Sequence, residues 1–109
     1  HLLWTSTRLK NAEGLLYKTN PPLRDHADNI GLRTALKNGH IDWIESDHAP
    51  HALVEKIFPP YLSGFPSLML YQTLLKEILP MWGIDAGRIR ALTHDNILNT
   101  FSERQAISK

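Results

Sequence analysis

At 109 residues the chain is the size of one small domain, and a hydrophobic content of 42% argues for a packed core and against disorder. The net charge is +1 with Lys and Arg scattered, so no basic face points to nucleic acid. No apolar run approaches the ~18–20 residues of a membrane span, and the absence of cysteine excludes disulfides and thiolate metal sites.

His1 to Thr5, "HLLWT", reads as the last residues of a strand. No signal peptide precedes it, and the start at His1 without Met suggests a processed or truncated chain. Leu15 to Lys18 is a short apolar stretch leading into "TNPPLR", where two successive prolines end regular pairing. From Asp25 the pattern turns helical: Ala27, Ile30, Ala35 and Leu36 share one side, and Gly39 follows as a C-terminal stop. Gly31 opposes that helix. Ile41 to Glu45, "IDWIE", predicts a strand, β-branched and aromatic and bounded by Gly39 and Pro50. Strand, helix, strand in that order is a βα unit of a parallel sheet.

Ala52 to Gly64 reads as a loop punctuated by Pro59, Pro60 and Gly64. Pro66 can open the next helix, on which Leu68, Tyr71, Leu75 and Ile78 recur at helical spacing, with Leu74 and Leu79 widening the stripe. Pro80 and Gly83 stop it. Asp85 is the expected N-cap of a helix through Leu92, and Thr93 of a last helix carrying Ile97, Leu98 and Phe101. Residues 1–101 form the expected folded segment. Residues 102–109 are expected to be a polar, fraying tail. Two or three parallel strands cannot bury both their faces alone, so the chain reads as the last part of a larger α/β domain.

The chemistry gathers at the end of the predicted strand, in "SDHAPH". In α/β barrels, functional groups sit at the C-terminal ends of strands. Asp47 falls there, where a carboxylate can bind a divalent metal or take a proton from a metal-bound water. His51 follows past a proline that fixes the turn, and His1 ends another strand-like piece. With no cysteine, any metal must rest on His, Asp or Glu. From spacing alone the blander readings stay open. A lone Asp after a strand is most often an Asx-turn or helix cap. His48 and His51 read equally as surface loop residues, and an N-terminal His1 as disordered. His26, His40 and His94 read as structural, Asn20 as a turn residue, and Tyr71 and Trp82 as packing.

"SDHAPH" (Ser46 to His51) resembles the "TDHAPH" signature of dihydroorotases, and "YKTNPPLR" (Tyr17 to Arg24) resembles that family's "YKxNPPLR". "HLLWT" resembles the end of its "TPHHLLL" segment, and "NGHIDWIESDHAPH" its helix end, strand and signature. The resemblance runs in order from His1 to about Phe101. It implies the C-terminal part of an amidohydrolase-type TIM barrel, strands six to eight with the closing helices. The implied reaction is the reversible cyclisation of N-carbamoyl-L-aspartate to dihydroorotate in pyrimidine synthesis, in the cytoplasm, with one or two zinc ions activating a bridging hydroxide.

By motif position, His1 matches the metal-binding His of the sixth strand. Asp47 matches the strand-eight Asp that binds metal and acts as general acid/base. Asn20 and His51 match substrate-contacting residues, and the backbone around Ser63 and Gly64 a loop that closes over substrate. His48 falls to a supporting role. The family's first-strand His-x-His pair, its bridging carboxylate, its fifth-strand His and the Arg that grips the substrate carboxylate have no counterpart here, so these residues alone are expected to be inactive. The loop after the signature departs from the family's common pattern: "ALVEKIF" keeps a Glu55–Lys56 pair, while "GFPSLML" is only a loose match to the Gly-rich, Glu-containing segment. The implied partners are the small-molecule substrate and either a second copy or an aspartate transcarbamoylase. Two other readings remain: a non-catalytic dihydroorotase-like scaffold, and a sister cyclic amidohydrolase of the dihydropyrimidinase or allantoinase kind. His51 and "NPPLR" favour dihydroorotase over the latter.

Overall fold

The computed structural model describes the backbone of residues 1–107 and the side chains of residues 1–102. Helix α1 spans His26–Lys37, and the sequence sets both its ends. The Asp25 carboxylate accepts from the Asp28 N–H at 2.9 Å, capping an otherwise orphaned donor. Beyond the C-terminus Gly39 takes φ +80°, a conformation that a side chain disfavours. Gly31 sits inside α1 with open space around it, so its cost is only the local propensity loss.

Helix α2, Leu53–Ile57, is short and lies inside the segment expected to be loop. Its first turn is held by the Glu55 carboxylate, which accepts from the Ala52 N–H at 3.0 Å. Helix α3 starts at Leu68, two residues after the proline expected to open it. It runs α-helical over Leu68–Thr73, widens to a π-helix over Leu74–Ile78, and ends over Leu79–Met81. Gly83, at φ +83°, follows the stop. Helix α4 begins after Asp85, whose carboxylate accepts from the Arg88 N–H at 2.8 Å. It runs Ala86–Arg90, π-helical Ala91–Asp95 and Asn96–Ile107 without a break. Thr93 therefore caps nothing; its hydroxyl donates back to the Ile89 carbonyl at 2.8 Å. The helix passes the expected start of the tail at Ser102, and the rest of that expected tail, residues 108–109, lies outside the described residues.

The expected sheet is the main correction. The segments 1–5 and 41–47 are not paired as strands, and among the described residues the one bridge is an isolated parallel contact between His48 and Phe65. Among the described residues the structure is helical with extended connections and no paired strand. The local pattern of "IDWIE" favours extended backbone, but a ladder also needs a paired neighbour, and among the described residues neither segment has one. The backbone groups find side-chain partners instead. Asn29 donates from Nδ2 to the His1 and Leu2 carbonyls at 2.7 and 3.0 Å, and Arg33 Nε donates to the Leu2 carbonyl at 2.9 Å. Along 41–46 the Ile41, Asp42, Ile44 and Ser46 carbonyls accept from Arg88 Nη2, Asn96 Nδ2, the Tyr71 hydroxyl and the Ser67 hydroxyl. The Ile44 N–H donates to the Leu92 carbonyl of α4 at 3.0 Å.

The core gathers Leu36 of α1, Ile44 of the extended segment, Leu74 and Leu79 of α3, Ile84, and Leu92 of α4. Trp82 packs at its edge, with the Arg33 guanidinium 4.4 Å from the ring centroid. The radius of gyration is 16.3 Å, larger than the roughly 13 Å of a compact chain of this length. A wide, thin body of this kind leaves large apolar side chains such as Met69, Met81 and Leu68 exposed. Among the described residues no helix is long and apolar enough to cross a membrane.

Leu79 is fully buried where α3 meets the extended segment. Leu79→Ala is expected to destabilise the fold by about 2–5 kcal/mol, against less than about 0.5 kcal/mol for the exposed Met81→Ala. Urea unfolding midpoints of the two variants check the contrast.

Candidate active-site cleft

The extended segment 41–47 ends at a backbone reversal. Asp47 takes φ +46°, a left-handed conformation that Asp tolerates better than most residues. Beyond it the chain is fixed on both sides. The His48 Nδ1 accepts from the Leu68 N–H at 3.1 Å, at the start of α3, and the Ala49 N–H donates to the Phe65 carbonyl at 3.0 Å. His48 thus serves as a helix-end acceptor, in line with its expected supporting role.

The reversal opens on a cleft of about 450 Å³. Its polar lining includes His1, Asn20, Asp47, Ser63, Gly64 and Glu45. Five of the six residues singled out by sequence therefore face one space, although they are drawn from four separate stretches of chain. The sixth, His51, is not part of the lining. It stands behind Gly64, and its Nε2–H donates to the Ser63 carbonyl at 3.0 Å. Gly64 is in close contact at this point: φ is +133°, and a Cβ there would lie 2.8 Å from the Ala49 Cβ and 3.1 Å from the His51 Nε2. No side chain fits without displacing the wall of the cleft.

His1 is oriented by the proline turn. Its Nε2–H donates to the Pro21 carbonyl at 2.8 Å, with Pro22 O at 3.2 Å. A carbonyl can only accept, so the proton sits on Nε2 and the lone pair on Nδ1. That leaves Nδ1 as the nitrogen that could meet a metal or a proton. Among the described residues, however, no group of three or more His, Asp or Glu side chains converges on one point.

Sequence reading missed the apolar floor of the cleft. Trp4, Tyr17 and Phe65 line it and pack on one another. Trp4 meets Phe65 edge to face at 4.9 Å and Tyr17 at 5.2 Å, and Tyr17 stacks on Phe65 at 6.2 Å. The three lie far apart in sequence, with no shared period to announce them. Tyr71, read as packing, also lines the cleft while its hydroxyl holds the Ile44 carbonyl at 3.0 Å. Burial pushes the Tyr71 phenol up from its usual value, and the nearby Glu45 carboxylate pushes it the same way. Because the folded-state value is the higher one, the neutral phenol stabilises the fold below the unfolded value of about 10, and that contribution is lost as pH rises through the folded value. Urea unfolding as a function of pH should show a fall in stability above about pH 10 that is smaller in Tyr71→Phe. The same variant should also lose about 1 kcal/mol at neutral pH with the hydrogen bond.

No family model matches the chain. Individual proteins do. The chain is 40% identical over 79 residues to a dihydroorotase of Mycobacterium leprae, a match covering 72% of this chain and 18% of that protein. It is 35% identical over 82 residues to a dihydroorotase of Aquifex aeolicus, covering 75% of this chain and 19% of the relative. It is 48% identical over 56 residues to one of Lactobacillus delbrueckii subsp. bulgaricus, covering 51% and 13%. The chain thus matches less than a fifth of the length of these curated relatives. The motifs and the matches agree: the chain is similar to a segment of dihydroorotases.

Proposed function

We propose that these residues form one wall of a dihydroorotase active site, in the C-terminal part of an amidohydrolase-type barrel comprising strands six to eight and the closing helices. The observation that carries this reading is the convergence of His1, Asn20, Asp47, Ser63 and Gly64 on one cleft. The reaction is the reversible closure of N-carbamoyl-L-aspartate to dihydroorotate, and the setting is the cytoplasm. In the hydrolytic direction the oxygen of water bonds to the ring carbonyl carbon, the ring C–N bond breaks, and a proton moves to the leaving amide nitrogen. Asp47 carries that proton. The Asn20 amide donates to the substrate carboxylate. The resemblance makes His51 a second substrate-contacting residue at this end of the site; here its Nε2–H holds the Ser63 carbonyl from behind the cleft wall. The backbone at Ser63 and Gly64 closes over the substrate.

One or two zinc ions are the cofactor this reading calls for, with His1 and Asp47 as ligands. A catalytic zinc usually takes three protein ligands, and two side chains do not make that set. These residues therefore do not fit a zinc site by themselves, and no step above runs through the metal. In this reading the remaining ligands come from outside the 109 residues. Self-association, or association with an aspartate transcarbamoylase, is the matching partner reading; the exposed Leu68, Met69 and Met81 offer apolar surface for it.

Two assays test the proposal. The isolated 109 residues, supplied with zinc, are expected to show no turnover of carbamoyl aspartate. In a full-length protein carrying them, Asp47→Ala is expected to lower kcat by at least about 10²-fold, the lower end of a general acid/base contribution. His51→Ala is expected mainly to raise KM. A fully active Asp47→Ala enzyme would remove the assigned role, and activity on hydantoin or dihydrouracil alone would move the assignment to a sister amidohydrolase.

A further inference from the structure

Lys56 is only 4% exposed, and no carboxylate pairs with its ammonium among the described residues. Burying an unpaired cation is costly, and an apolar side chain of similar volume would avoid that cost. The ammonium is instead placed between two backbone carbonyls. It donates to the Lys18 carbonyl at 3.1 Å and to the Gly64 carbonyl. The Gly64 N–H donates to the same Lys18 carbonyl at 2.9 Å. One side chain of α2 thus joins the wall of the cleft at Gly64 to the stretch that leads from Lys18 to Asn20.

The loop between α2 and Gly64 has little else to hold it. Phe58 and Tyr61 are exposed at 58% and 38%, so apolar burial contributes little there. Polar contacts do the holding: Lys18 Nζ donates to the Tyr61 carbonyl at 2.6 Å, and the Leu62 N–H to the Glu55 carbonyl at 3.0 Å. The far side of Gly64 presses on Ala49 and His51. Moving the Gly64 peptide therefore moves the Ser63 carbonyl that orients His51, and loosens Lys18 two residues before Asn20. Burial lowers the Lys56 pKa, and the Lys18 charge lowers it further, which fits an ammonium placed for its hydrogen bonds and not for an ion pair.

We propose that Lys56 is a positioning residue for the substrate-carboxylate end of the cleft: by clamping the Gly64 and Lys18 carbonyls it sets Asn20, Ser63 and His51 at one spacing, and so controls substrate affinity more than turnover. This rests on the dihydroorotase reading for its kinetic consequence, but the clamp itself does not. The test uses the full-length protein with Lys56→Met, which keeps the stem and removes the donors, and Lys56→Arg, which keeps charge and donors. Lys56→Met is expected to raise KM for dihydroorotate at least tenfold with kcat changed less than threefold, and to speed hydrogen exchange at the Gly64 amide at least tenfold. Lys56→Arg is expected to restore KM to within threefold of the parent. If Lys56→Met does not fold, Lys56→Gln carries the same measurements. An unchanged KM, a fall in kcat matching the rise in KM, or Lys56→Arg behaving as Lys56→Met would overturn the positioning role. If the parent shows no dihydroorotase activity, the functional reading fails, while unchanged Gly64 exchange in Lys56→Met would separately refute the clamp.

Discussion

The structure depends on how the extended segment 41–47 satisfies its own backbone without a neighbouring strand. Each buried carbonyl needs a donor, and leaving one unmet costs about 1–3 kcal/mol. Helices α3 and α4 supply the donors from side chains. Tyr71 and Arg88 reach the carbonyls of Ile44 and Ile41, and Asn96 reaches that of Asp42. Ile44 adds the apolar anchor, buried against Leu74, Leu79 and Leu92. The segment is therefore a rod gripped by two helices, and Asp47 is its exposed tip.

The cleft follows from that grip. Asp47 turns into the left-handed region, His48 ties the chain to the start of α3, and Phe65 completes a floor with Trp4 and Tyr17. On the opposite side the Lys56 ammonium, the Lys18 carbonyl and the His51 ring hold the Ser63–Gly64 backbone. One wall is fixed by apolar packing and the other by hydrogen bonds to backbone. The hydrogen-bonded wall has less burial behind it and so is the softer of the two. In the proposed reading this is the loop that closes over the substrate, and a loop with that task needs that property.

The sequence made some of this readable because the determinants are local. Asp25, Gly39, Asp85 and Gly83 mark helix ends through caps and positive φ, and the helix ends fall beside them. The residues of "SDHAPH" and "TNPPLR" could be joined to His1 through family likeness, and the fold then gathers most of them at one cleft. Other features are not local. "IDWIE" has the composition of a strand, yet sheet membership is decided by what lies alongside, and here helices do. Helix α2 was hidden between prolines because five residues carry too little period to stand out. Thr93 looked like a cap, but the π-helical turn at Ala91–Asp95 carries α4 straight through it. Lys56 shows in sequence only as part of the Glu55–Lys56 pair kept in "ALVEKIF", and nothing there marks a lysine whose partners are backbone carbonyls on two other segments.

The central claim is that one cleft, closed by Asp47 on one side and by Asn20 and the Gly64 backbone on the other, receives the substrate. A crystal structure of a full-length protein carrying these residues, with dihydroorotate bound, tests it most directly. The account expects the substrate carboxylate within hydrogen-bonding distance of Asn20 at the Gly64 end, and the ring amide facing Asp47. Dihydroorotate bound away from this cleft, or held with its ring amide turned from Asp47, would contradict it.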